Sequence, residues 1–321
     1  MRFWAAVLVA ALAGASAAHA APSQQAYPTK PVRIVVAFGP GGIADTIGRL
    51  VSHKLATRLG QPMVVDNRAG AGGTVGARIA KGAAADGHTL LVTTAAVAVN
   101  ANAPKDALDP RVQLTPVALA ASAPTVFAVH RTVTAKGLMD YVRNTKGGRF
   151  TYSTAGVGTT EHLTAEFLFR SVVGIEGTHV PFQGGAAPVA AVVAQQVDLT
   201  STTVPTAYPF IKQGTLRVLA IASRKRNAVL PDVPTLGESG FPEFENASWI
   251  AFFAPAGLPA RIVEKLNAEV NGALGEPDVR ERLALLGFEA HAMSASEFAG
   301  YVRSEVEKWA KVIKATGITP Q

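Results

Sequence analysis

Val32 to Phe38 is almost continuously apolar and largely β-branched and runs into Gly39-Pro40-Gly41-Gly42, which predicts a buried strand ended by a breaker. Ile47, Leu50, Val51 and Leu55 then recur at helical spacing up to Gly60. Met63 to Val65 predicts a second strand leading into Gly70-Ala71-Gly72-Gly73, followed by a helical stretch through Ile79 and a strand from His88 to Thr94. This rhythm of strand, glycine turn and helix is that of an α/β layer with a mostly parallel sheet, in which ligands collect at the carboxyl ends of strands. Further strands are expected at Thr125 to Val129, Phe150 to Ser153, His179 to Phe182, Val197 to Thr200, Leu216 to Ala222 and Trp249 to Phe253, with helical stretches such as Thr160 to Val173 between them. The chain should end in two amphipathic helices. Ile262, Leu266, Val270 and Leu274 mark the first; Ser294 and Glu297 form a capping box that opens the last, lined by Phe298, Val302, Val306, Trp309 and Ile313.

The first 20 residues stand apart from that pattern. Arg2, an apolar run from Phe3 to Ala18 and the small-x-small Ala18-His19-Ala20 make a secretory signal peptide, cleaved to leave Ala21 first. The run is shorter than the roughly 20 residues of a spanning helix, so the mature chain is expected to be soluble and periplasmic. With no Cys in the sequence, neither a lipid anchor nor a disulfide is available. About 300 mature residues exceed one hydrophobic core and imply two lobes. The formal charge of +7 becomes +6 when Arg2 leaves with the leader, which suits an anion receptor. Nucleic acid is not an expected partner: the one dense basic run, Arg224-Lys225-Arg226, lies in a polar loop with no interleaved aromatics.

Three glycine turns carry the candidate chemistry: Phe38 to Gly42, Gly70 to Gly73, and Ala155-Gly156-Val157-Gly158-Thr159-Thr160. Each precedes an expected helix, whose exposed N–H groups and positive dipole end attract an anion while glycine lets a ligand approach. Val75 stands where a dinucleotide fingerprint starting at Gly70 needs glycine, and no G-K-[ST] follows any turn, so neither a dinucleotide nor a nucleotide phosphate is expected. Asp45 is placed to cap the first helix, and Asp66 and Arg68 either fix the second turn or let Arg68 meet the ligand. His162 is open to structural, pocket-lining or catalytic use. No H-x-x-x-H or H-E-x-x-H pair exists, so no metal and no cofactor is expected. The chain also lacks G-x-S-x-G and any Cys; Ser153 near His162 is the single pairing that would suit a hydrolase, and no catalytic residue is assigned.

Tyr27 to Val36 followed by Pro40-Gly41-Gly42-x-x-Asp45 and Arg49, together with Asn67-Arg68-x-Gly70-x-Gly72-Gly73, Ala85 to Leu91, His162-Leu163, His179 to Phe182, Gly214 to Arg217, Pro231 to Thr235 and Ala254 to Gly257, resembles the Bug-type periplasmic solute-binding receptors of tripartite tricarboxylate transporters. The resemblance implies a two-lobed, type II-like periplasmic binding protein fold, two α/β domains around a central cleft with two hinge crossings. Residues 21–121 plus 246–321 would form lobe 1 and 122–245 lobe 2. It implies a small carboxylate ligand, no enzymatic activity, a monomer, and a membrane permease or a sensor kinase as the partner of the closed form. Carried onto this sequence, it nominates Phe38, Gly39, Gly41, Gly42, Gly72, Gly73, Thr93, Thr159, His162, Phe182, Gln183 and Thr202 as ligand-binding residues. Departures from the family pattern stand at Ala37, Thr159, Gln183, Ala191 and Val99 to Pro104, and they bear on which acid is bound.

Overall fold

The computed structural model describes residues 27–104, 107–145, 149–241 and 245–317; the leader and its cleavage site lie outside them. In the first lobe β1 (Val32–Val36), α1 (Ile43–Leu59), β2 (Met63–Asn67), α2 (Thr74–Lys81) and β3 (Thr89–Thr94) follow the expected alternation. β1 lies between β2 and β3, parallel to both. α3 (Ala96–Asn100) and α4 (Pro110–Gln113) lead into a single long strand, β4 (Leu114–His130), which enters the second lobe. There the chain forms α5 (Leu138–Asn144), β5 (Thr151–Thr154), α6 (Thr160–Glu166), β6 (Thr178–Pro181), α7 (Ala187–Val193), β7 (Leu199–Thr203), α8 (Val204–Lys212) and β8 (Leu216–Ile221). It returns through β9 (Ala247–Pro255) and closes with α9 (Ala260–Gly275), α10 (Pro277–Leu285), β10 (Glu289–Ala290) and α11 (Ala295–Thr316).

The sheet is mixed rather than mostly parallel. The outer strands of each lobe pair in parallel, whereas β9 runs antiparallel to β3 and β4, and β4 runs antiparallel to β7 and β8. The cause is topological: β4 carries the chain out of the first lobe and β9 brings it back beside β4, so the two must point in opposite directions. β4 pairs with β9 as far as Pro124 opposite Ala247, and with β7 from Thr125 opposite Thr203. Pro124, with no N–H to give a ladder, stands at that changeover. Asn246 fastens the return, its N–H bonding Ala222 O at 3.0 Å and its carbonyl accepting Thr125 N–H at 3.1 Å.

Each lobe has its own core. Ile34, Leu90, Phe252, Leu266, Phe298 and Trp309 belong to one cluster in the first lobe. In the second lobe successive β4 side chains feed opposite faces of the sheet, as strand pleating requires. Phe127 and Val129 join Tyr152 and Phe169 on one side; Val126 and Ala128 join Val189 and Val204 on the other. α11 starts with the expected capping box, and buried Glu305 holds it down by accepting the indole N–H groups of Trp249 at 3.0 Å and Trp309 at 3.2 Å.

Candidate functional site

The first glycine turn meets the Gln183–Ala186 loop across the cleft, and the second meets the third. Gly39 N–H donates to Gln183 O at 3.0 Å, and Ala186 N–H to Pro40 O at 3.3 Å. A Cβ placed on Gly42 would stand 3.0 Å from Gly185 N, so backbone meets backbone where the lobes touch. Behind this seam lies a cavity of about 30 Å³, measured for the centre of a water-sized sphere, lined by residues from both lobes including Phe38, Gly42, Ala44, Thr159, Glu161 and Thr202. Such a volume holds one or two waters.

Two helix starts face this cavity. Gly42 is the N-cap of α1 in extended conformation and, having no side chain, leaves the first-turn N–H groups uncapped; Ile43 and Ala44 line the cavity. Asp45 bonds backward instead. Its carboxylate accepts Gly41 N–H at 3.1 Å and groups from Arg49 and Asn67, each at 2.9 Å. Burial opposes its ionisation, but those hydrogen bonds outweigh it and hold the pKa below the ordinary value. In the second lobe the uncapped start is that of α8, whose N-cap Thr203 lines the cavity with Thr202 and Thr206. The helix after the third glycine turn is not free in this way, because Thr159 Oγ1 accepts His162 N–H at 3.3 Å and caps α6.

Of the residues nominated from sequence, Phe38, Gly42, Thr159 and Thr202 line the cavity. Gly39 and Gln183 form the seam, and Gly41, at φ +79°, shapes the first turn beside Ala186. The second glycine turn lies off the cavity. Gly72 packs on Val157 of the third turn and its carbonyl accepts Asn100 Nδ2 at 3.1 Å, while Gly73 lies against the Phe38 ring and Thr93. Phe182 donates its N–H to Thr154 O at 3.0 Å and packs into the second-lobe core. Arg68 is taken up by Asp66 at 2.9 Å, consistent with fixing its loop. Ala155, part of the third candidate turn, lines the cavity too, and sequence reading missed Ile43, Ala44, Thr94, Glu161, Gly184, Gly185, Thr203 and Thr206, which also line it. The Gly184-Gly185 pair, after an expected strand, carried a signal of the same kind as the three turns.

His162 supports the third turn from beneath. Its ring stacks on His179 with centroids 4.1 Å apart, His179 stacks on Tyr152 at 5.0 Å, and Nδ1 accepts Gly158 N–H at 3.4 Å. Burial lowers the pKa of both histidines, His179 to about 3, and His162 adds to the effect on His179. Ser153 Oγ donates to Pro188 O at 2.8 Å, so its hydroxyl is committed to the backbone and not to His162. No group of three metal-binding side chains occurs among the described residues, and no described helix is long and apolar enough to cross a membrane.

Two α/β lobes crossed twice by the chain, with helix starts converging on an interlobe cavity, define a solute-binding protein of the periplasmic type. Residues 47–318 match the model of the tripartite tricarboxylate transporter family receptor, and the chain belongs to that family of solute-binding receptors, which are not enzymes. It is 32% identical to protein BugT of Bordetella pertussis over 94% of each chain. The solved structure of MatC from Rhodopseudomonas palustris with bound malate superposes with a TM-score of 0.83 at 35% identity, covering 89% of this chain and all of that one. That of R. palustris Rpa4515 with adipate gives 0.86 at 32%, covering 92% of this chain and all of the other.

Proposed function

We propose that this protein is exported behind the Met1–Ala20 leader, captures a small carboxylate-bearing solute in the periplasm as a monomer, and delivers it to the permease of a tripartite tricarboxylate transporter. The observation that carries this reading is the uncapped start of α1 at Gly42, Ile43 and Ala44, opening on a cavity shared with the other lobe. Its dipole end and free N–H groups favour a carboxylate without any Lys or Arg among the lining residues. Capture of malate by MatC and of adipate by Rpa4515 supports the same ligand class here. The lobes, taken as 21–121 with 246–321 and as 122–245, swing apart about β4 and the strand-entry residues Asn246 and Ala247, because a space of about 30 Å³ admits no acid while the seam is closed. The test is a thermal-shift screen with dicarboxylates, tricarboxylates, acidic amino acids and aromatic acids. A true ligand at 100 times its dissociation constant adds about 2.7 kcal/mol of stability; no shift with any acid would refute the reading.

A further inference from the structure

Glu161 is the one titratable side chain that lines the cavity, and its chemistry is opposite to that of an anion site. It is 5% exposed, and no Lys or Arg among the described residues stands within ion-pair distance of its carboxyl. Hydroxyls surround it instead. Thr160 Oγ1 donates to Oε2 at 3.3 Å, and Thr159 and Ser248 lie beside it, the Ser248 hydroxyl being buried without a well-formed hydrogen bond. Thr159 caps α6, and the Glu161 carboxylate, in the first turn of that helix, accepts its own backbone N–H; neither contact supplies a positive charge. The other acid on this helix, Glu166, is engaged by the Tyr152 hydroxyl, away from the cavity.

A buried carboxyl without a cation is costly when charged, and burial pushes the Glu161 pKa up. A ligand with two carboxylates would bring a further negative charge into the same dry space. A ligand with an ammonium group would instead supply the missing partner, its carboxylate at the start of α1 and its cation at Glu161, leaving the occupied cleft less negative than the plain acid of the same length would.

We propose that Glu161 selects an amino-group-bearing acid, pairing with the ligand's ammonium, over the plain acid of the same length. This rests on the carboxylate-receptor reading above and narrows its substrate class. The experiment is calorimetric titration of the wild-type protein with acids matched except for the amino group: aspartate against succinate, glutamate against glutarate, and 4-aminobutyrate against butyrate. The amino member of the best-bound pair should bind at least about tenfold tighter, and E161Q should cut that ratio below about threefold. Equal or tighter binding of the plain acids by the wild-type protein overturns the inference while leaving a carboxylate receptor standing. An unchanged ratio in folded E161Q overturns it as well. If E161Q does not fold, the wild-type ratios decide alone, and failure of every acid in the wider screen removes both readings.

Discussion

The two faces of the cleft are built from different materials. The first lobe presents main chain: Gly42 has no side chain, and Ile43 and Ala44 offer the first-turn N–H groups of a 17-residue helix. The second lobe presents side chains: the Thr202 hydroxyl, the Thr203 and Thr206 hydroxyls bonded to each other at 3.0 Å, and the Glu161 carboxyl. Backbone amides read what all carboxylates share, whereas hydroxyls and a carboxyl read the rest of the molecule. On the function proposed above, the first face sets the ligand class and the second sorts members within it.

The largest effect should come from filling the glycine side of the seam. Gly42 has φ −85°, which any residue adopts, so Gly42→Leu strains no backbone; its new side chain runs into Gly185. Binding of every acid should fall at least about 100-fold, close to 3 kcal/mol, while the melting temperature of the free protein stays within a few degrees. Retained affinity by calorimetry would break the assignment of class recognition to this face. Gly41 is the poorer probe, because its φ of +79° strains any other residue regardless of ligand.

On the second face, Thr202→Val removes one hydroxyl and should change affinities about three- to tenfold, unequally among acids, as a single hydrogen bond of about 0.5–1.5 kcal/mol allows. A uniform loss across the panel would mean that this face reads class as well. Thr159→Ala removes the α6 cap and should cost about 1 kcal/mol in urea denaturation, with little effect on the first lobe's contacts.

A further effect concerns pH. His179 stays neutral in the folded protein down to about 3 and His162 is lowered in the same direction, whereas unfolded histidine takes a proton below about 6.5. Stability is therefore whole above that value and falls as the pH drops from there toward 3. A melting temperature that declines by a few degrees between pH 7 and pH 5, and less in His179→Gln, is the expected outcome of a pH series.

The same contrast explains what the sequence revealed. Backbone-built features announce themselves through glycine and capping residues, so the turn at Gly39 to Gly42 and the box at Ser294 and Glu297 were both readable. Features built by long-range pairing were not. The Ala- and Pro-rich Leu114 to Pro124 looks nothing like a strand locally, yet forms the larger part of the 17-residue β4 because β9 lies along it. Glu161 was overlooked for a related reason: an acid in a first helical turn is ordinary at the surface, and only the closure of two lobes over it makes it a buried, unpaired carboxyl.

A crystal structure of the protein with the tightest acid from the thermal screen addresses the central claim most directly. The account predicts a ligand carboxylate oxygen within hydrogen-bond distance of the Ile43 or Ala44 N–H, with second-lobe hydroxyls on the remainder of the ligand. A carboxylate held instead by Lys or Arg side chains, or seated in the hinge-side groove near Arg224 and Glu289, would contradict it.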